Sequence, residues 1–239
     1  MNSRTFENKV ILITGADGEI GTALIQEMLH RKAHKIYATG IALERLHQLA
    51  STYPSKIVPV LLDVTQEDSI QKAVEQCQDV QVLINNAGVE LKSDFIGEQA
   101  GRKALLEMQI NYIGVIHMMN HFLPILQKQK PSYILNMLSV GSATIIKRIA
   151  TYCASKTAAN LLTQSLRPEL ATQAIELIGI YPGYVDSMMS ADVQTEKITL
   201  VDLSRTICNE FEAGVLDIFP DPMSKKLFEQ YPIMVPHGV

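Results

Sequence analysis

Cysteine is scarce in this chain, and the three present, Cys77, Cys153 and Cys208, are an odd number with no Cys-x-x-Cys pair. A disulfide framework is therefore not expected, and free thiols suit a reducing cytoplasm. Cys153 adjoins Tyr152, but neighbours on a helix point about 100° apart, so it is assigned no chemistry. The histidines form no metal-ligand pattern; His30, His34 and His47 read as surface helix or loop residues, and no metal is expected. No apolar run approaches the ~20 residues of a membrane span. Polar or charged residues fill Asn2 to Lys9, so neither a secretory leader nor a membrane partner is expected. No basic stripe stands out against a net charge of −4, which disfavours nucleic acid. Linkers, repeats and low-complexity segments are also missing, so residues 1–239 read as one domain. Charged residues make up only 19% against 47% hydrophobic, which permits a large core.

What is present alternates. Lys9 to Thr14 is a short β-branched run, followed by glycines and a helical pattern with Leu24, Ile25, Met28 and Leu29 on one face. Further strands are expected at 35–39, 57–62, 80–84, 133–139, 175–180 and 215–219. Helices are expected at 42–50, 66–78, 97–108, 110–129, 152–171 and 200–213, with a polar loop over 185–197 and a turn-rich tail at Pro220-Asp221-Pro222. Strand–helix alternation throughout predicts an α/β fold, a Rossmann-like doubly wound parallel sheet of about seven strands with helices on both faces.

Two patterns carry chemistry. Gly15-Ala16-Asp17-Gly18-Glu19-Ile20-Gly21 sits between a strand and a helix, the context in which a glycine motif binds phosphate. Gly15 allows the tight turn, Gly18 lets backbone approach a pyrophosphate, and Gly21 permits close helix–strand packing. The helix N-terminus adds N–H groups and a positive dipole. The bland alternative is a plain strand-to-helix turn. The second pattern is Tyr152-Cys153-Ala154-Ser155-Lys156, which puts a phenol and an ammonium about one turn apart. A free phenol has a pKa of about 10, and a nearby ammonium lowers it. The pair reads as a proton donor and acceptor, with Ser139 upstream at the end of an apolar strand. Gly15–Gly21, Asp63, Asn85–Gly88, Ser139 and Pro182–Gly183 all follow predicted strands, so they share the sheet edge where ligands bind.

Together these motifs resemble the short-chain dehydrogenase/reductase family from Val10 to about Pro222. Val80–Gly88, Leu138-Ser139-Val140 and Phe219–Met223 look like a subgroup of uncharacterised bacterial oxidoreductases. The resemblance implies an NAD(P)-dependent oxidoreductase that interconverts a carbonyl and an alcohol by hydride transfer. Tyr152 would move the proton. Lys156 would hold the nicotinamide ribose and lower the Tyr152 pKa, Ser139 would bind the substrate oxygen, and Asn111 would hold a water linking Lys156 to solvent. The cofactor would meet Gly15, Asp17, Gly18, Glu19, Ile20 and Gly21 at its phosphates. Asp63, with Val64 beside it, would contact the adenine, and Asn86, Ala87 and Gly88 would line the adenosine side. Pro182, Gly183 and Val185 would flank the nicotinamide, with Ser187 near its amide. Bland readings stand beside these. Asp63 or Thr65 reads as a helix N-cap, Asn85–Gly88 as a simple turn, Asn111 as a helix residue bonded to backbone, and Ser139 as a loop cap.

The chain also departs from the family. The common short form has its middle glycine where this chain has Glu19, and Gly18 gives the spacing of the longer, epimerase-like branch. Glu19 would bring a carboxylate near the pyrophosphate. The positions that choose between NAD and NADP correspond to Gly40 and Ile41, and neither carries the expected acid or arginine. Asp17 and Glu19 would repel a 2′-phosphate by roughly 1 kcal/mol each, a slight lean to NAD, while the related subgroup leans to NADP. Substrate walls are expected at 89–96, 140–151 and 184–194, where Leu91, Phe95, Ile145, Ile146, Met188 and Met189 suggest a small-molecule carbonyl or alcohol with an apolar flank. Lys147-Arg148 reads as a solvated pair. The resemblance further implies a homodimer or homotetramer packed through the helices around Asn111 and Tyr152. Two rival functions remain: a non-redox epimerase or dehydratase, and a cofactor-binding sensor without turnover.

Overall fold

A computed structural model of the chain describes residues 4–230. Seven strands form one sheet: β1 (Val10–Ile13), β2 (Lys35–Gly40), β3 (Ile57–Leu61), β4 (Val82–Asn85), β5 (Ser132–Met137), β6 (Ile175–Ile180) and β7 (Asp217–Ile218). Their spatial order is β3-β2-β1-β4-β5-β6-β7, and every neighbouring pair is parallel. Parallel strands need crossover connections, here mostly helical. The helices are α1 (Glu19–His30), α2 (Leu43–Thr52), α3 (Glu67–Gln76), α4 (Ala100–Met108), α5 (Gly114–Leu126), α6 (Ala150–Ala171), α7 (Leu200–Glu212) and α8 (Pro222–Gln230). None of these described helices is long and apolar enough to cross a membrane.

Helices on both faces explain why the strands read as continuous apolar runs. All four residues of β1 are buried, and the strand's two-residue period divides them. Ile11 and Ile13 join Leu24, Ile25 and Met28 of α1 and Phe211 of α7 in one core. Val10 and Leu12 join Ile70 of α3 and Met118 and Phe122 of α5 in the other. The three cysteines are buried free thiols.

Three expectations fail. The break between the two middle helices does not exist: α4 passes through a wide π turn, Gln109–Ile113, directly into α5. Such turns occur frequently at functional sites, and this one carries Asn111. The tail is not a turn but α8, begun by Pro222 at a position that needs no N–H; Asp221 Oδ1 accepts the Ser224 N–H at 2.9 Å. Neither Asp63 nor Thr65 caps α3, which starts at Glu67 after Gln66. Asp63 Oδ1 instead accepts from the Thr65 N–H at 2.9 Å and the Thr65 hydroxyl at 2.7 Å.

The chain winds outward from β1 to β3 and then returns to β4 on the other side of β1. In an open parallel sheet, ligands bind in the crevice that opens at the carboxyl ends beside such a reversal.

Candidate active site

That crevice holds a cavity of about 440 Å³ lined by Gly15, Asp17, Gly18, Glu19, Ile20, Gly21, Asp63, Val64, Asn86, Ala87, Gly88 and Ser187. Its floor is mostly backbone. Gly15 has φ +63°, a conformation that favours glycine. A Cβ on Gly21 would lie 2.4 Å from the Gly15 carbonyl oxygen and 2.8 Å from the Ala16 Cα, so Gly21 packs against the loop itself rather than against a strand. The Asn86 segment is laced to the same loop. Thr14 Oγ accepts from the N–H groups of Asn86 and Ala87 at 3.0 Å each, and Asn86 Nδ2 donates to the Thr14 carbonyl at 2.9 Å.

Both acidic residues of the glycine loop are turned aside. Asp17 Oδ2 accepts the Ala42 N–H at 2.9 Å. It fills the space above Gly40, where a Cβ would come within 2.3 Å of Asp17 Oδ1. Glu19 Oε2 accepts the Met188 N–H at 2.8 Å, tying the loop to the segment after β6. Each carboxylate is thus fixed in place by a backbone donor at the edge of the cleft. Arg45 also lines the cavity. No motif marked it, and only its position in the first turn of α2, after β2, hints at its place.

A second cavity, about 100 Å³, shares Ile20, Asn86, Gly88, Ser187 and Met189 with the first and continues to Ser139, Tyr152, Lys156, Pro182, Gly183 and Val185. Ser139 ends the extended segment after β5, and its Oγ also accepts the Gly141 N–H at 3.1 Å, so the hydroxyl both caps a loop and faces the cavity. Tyr152 and Lys156 come from one face of α6. Lys156 Nζ donates to the Met137 carbonyl at 2.7 Å and lies 5.7 Å from the centre of the Tyr152 ring.

The electrostatics differ from expectation. Burial raises the Tyr152 pKa above its ordinary value, with Ser139 pulling it back and Glu90 adding to the rise. The lysine therefore does not leave the phenol lowered, because removing a phenolate from water outweighs an ammonium that faces the ring and a backbone carbonyl. Burial also lowers Lys156 to about 8.

Asn111 is fully buried and borders neither cavity directly. Its Oδ1 accepts the Val89 N–H at 2.9 Å, and its Nδ2 donates to the Val89 carbonyl and to Ser155 Oγ at 2.9 Å each. Both amide hydrogens are committed, so the side chain braces the loop after β4. The backbone-bonded reading therefore holds for the side chain, which positions the Val89 loop.

The substrate wall also changes. Ile146 and Met189 line the small cavity, as do Ile149, Tyr184 and Glu90, which lie within the expected wall segments but were not singled out. Leu91 is not among its lining residues, and Phe95, Ile145 and Met188 are turned to solvent at 57%, 74% and 78% exposure. Arg148 is not a free cation: its Nη1 meets Asp192 Oδ2 at 2.8 Å. The only advance signal for Glu90 was a lone acid directly after Asn85-Asn86-Ala87-Gly88-Val89.

Comparisons with known proteins agree with this layout. A family model described as short chain dehydrogenase matches residues 9–198. An uncharacterised oxidoreductase of Staphylococcus saprophyticus is 30% identical over 195 residues, covering 78% of this chain and 82% of its own. A short chain dehydrogenase from Burkholderia cenocepacia, solved in complex with NADP, has a TM-score of 0.89 and 30% identity over 95% of this chain and 93% of that one. A short chain dehydrogenase/reductase from Burkholderia phymatum, solved with NAD, has a TM-score of 0.82 at 21% identity, over 99% of this chain and all of that one, and so speaks to the fold alone.

Proposed function

Because the chain belongs to the short-chain dehydrogenase family, we propose that it is an NAD(P)-dependent oxidoreductase interconverting a carbonyl and an alcohol, with Tyr152 transferring the proton. The observation that carries this reading is the meeting of Ser139, Tyr152 and Lys156 on one small cavity that opens into the glycine-floored cleft. The cleft fits a dinucleotide: its floor tolerates no Cβ at Gly21, and α1 points its N-terminus into it. The bound cofactor supplies or accepts the hydride.

The protein's share is position and proton. Ser139 donates to the substrate oxygen and orients it toward the phenol. Tyr152, held in its neutral form by burial, gives its proton to the developing alkoxide in reduction and takes it back in oxidation. Lys156 remains largely charged at neutral pH and offsets negative charge at that oxygen. Asn111 keeps the Val89 loop at the cavity edge. Gly88 carries no side chain between them; a Cβ there would meet Asn111 Oδ1 at 3.2 Å and Lys156 Nζ at 3.4 Å.

For the dinucleotide, Asp17 and Arg45 share one wall, so the lean toward NAD loses part of its support and both nucleotides fit the reading. Leu105, Leu106, Ile113 and Leu161 are exposed apolar residues on the helices around Asn111 and Tyr152, which supports a homodimer or homotetramer through that face. Light scattering on the purified protein tests it.

The central test is oxidation of NADH and NADPH with a panel of ketones and aldehydes, for wild type and Tyr152→Phe. Turnover that is lost in the phenylalanine variant supports the reading. Turnover that survives removes Tyr152 from it, and nucleotide binding with no turnover favours a sensor.

A further inference from the structure

Glu90 is the acidic group of the reactive cavity, and proton transfer leaves it unused. It lines the same small cavity as Ser139, Tyr152 and Lys156. Among the described residues, its carboxylate oxygen Oε1 is buried without a hydrogen-bond partner. An unpaired buried acceptor costs about 1–3 kcal/mol. Beside a ligand cavity, such a group is paired when a ligand brings a donor.

The chain on either side of Glu90 is clamped. Asn111 holds Val89 at both N–H and carbonyl, and Glu107 Oε1 accepts the Leu91 N–H at 2.7 Å. Glu107 and Asn111 stand one turn apart on the α4–α5 helix. With both flanking residues tied to that helix, the loop is held in place and Glu90 lines the cavity.

The nearby cations are engaged elsewhere. Lys92 Nζ and Arg148 Nη1 each meet Asp192 at 2.8 Å. Burial raises the Glu90 carboxyl above its ordinary range, while Arg148 and Lys92 oppose the rise. The surrounding lining is largely apolar, with Leu138, Val140, Ile146, Ile149 and Met189. Among the lining residues, Glu90 is the one that carries a buried, unpaired side-chain oxygen, and it selects a donor.

Resting on the oxidoreductase reading above, we infer that Glu90 sets substrate specificity. Its unpaired oxygen accepts a hydrogen bond from a hydroxyl on the carbon next to the reacting one. The substrates are then α-hydroxy carbonyls or the corresponding vicinal diols. The cavity is small, about 100 Å³, which favours a second oxygen close to the reacting carbon.

The test pairs 3-hydroxybutan-2-one with butan-2-one. The ratio of their kcat/KM values is measured in wild type, Glu90→Gln and Glu90→Leu. The ratio is internal to each preparation, so partial misfolding scales both values alike. The expected result is a ratio that falls tenfold or more in Glu90→Leu and threefold or less in Glu90→Gln, which keeps an acceptor oxygen. In parallel, butane-2,3-diol should raise the Tm of the NADP-saturated wild type more than butan-2-ol does, and Glu90→Leu should lose that difference. Equal ratios in all three proteins would overturn the role of Glu90 and leave carbonyl reduction standing. A wild type that binds nucleotide yet turns over no carbonyl compound removes the oxidoreductase reading, and this inference with it.

Discussion

The two halves of the cleft are built on opposite principles. The wider half, about 440 Å³, is floored by backbone: the Gly15–Gly21 loop, the Asn86–Gly88 segment and the start of α1. Side chains there are turned aside, as with Asp17 on Ala42 and Glu19 on Met188. The narrower half, about 100 Å³, is built from side chains carrying a buried phenol, a buried ammonium and a partly buried carboxyl. Backbone recognition tolerates changes of side-chain identity but not an added Cβ. Recognition by ionisable side chains behaves the other way, because each group's state depends on its burial.

The sharpest way to separate the halves is Tyr152→Phe. Carbonyl reduction should fall by at least about 100-fold, the scale of one positioned proton donor, while nucleotide affinity changes less than about threefold. Steady-state kinetics and calorimetric titration read the two effects separately, and a parallel loss of affinity would mean that the halves are not independent.

The converse change is Gly21→Ala. Its Cβ would press on backbone at 2.4 Å and 2.8 Å, with no flexible side chain to yield. Overpacking of this kind costs about 1–3 kcal/mol, read as a lower urea midpoint together with weakened nucleotide binding. Gly18→Ala serves as its control for stability, since the contact there is an ordinary 3.4 Å; an equal fall in urea midpoint in the two would contradict the tight packing of Gly21.

A third prediction concerns charge in the narrow half. Lys156 holds its proton less tightly in the fold, at about 8, than at its ordinary 10.5. Below pH 8 both folded and unfolded chains carry the charge, and the fold bears the full cost of burying it. Between 8 and 10.5 the unfolded chain binds more protons, so this group's contribution to stability rises with pH. Lys156→Met should therefore gain most on wild type at pH 7 and lose that advantage toward pH 10, by about 1 kcal/mol per pH unit at the steepest. Urea unfolding at the two pH values decides it; an advantage that stays constant would show that the ammonium is not desolvated.

The smallest expected effect is Asp17→Ser. It removes a carboxylate from the wall that Arg45 shares, so the preference for NADP over NAD should rise a few-fold, by roughly 1 kcal/mol or less. A preference that stays where it was would place the 2′-position away from Asp17.

Much of this molecule was legible in advance. The fold class followed from alternating strand and helix patterns, and the glycine loop followed from its place between β1 and α1. Ser139, Tyr152 and Lys156 could be picked out because each sits at the end of a predicted strand or on one helix face. Less legible were features that need two distant segments at once. Glu19 was read as a charge facing phosphate, yet its partner is Met188, 169 residues away. Asn111 was read for its place on a helix, and its clamp on Val89, made from a π turn to the loop after β4, could not be foreseen from either segment alone. Glu90 was passed over in a wall judged by its apolar members.

The sequence by itself determined the element types, the order of strand and helix, and the residue types brought to the sheet edge, because periodicity and turn chemistry act between near neighbours. Only the tertiary structure decided the protonation of Tyr152 and Lys156, the clasps on the glycine loop, and the orphaned oxygen of Glu90. Those depend on how much water is excluded and which backbone groups come within 3 Å, and both are set by the packing of segments far apart in the chain.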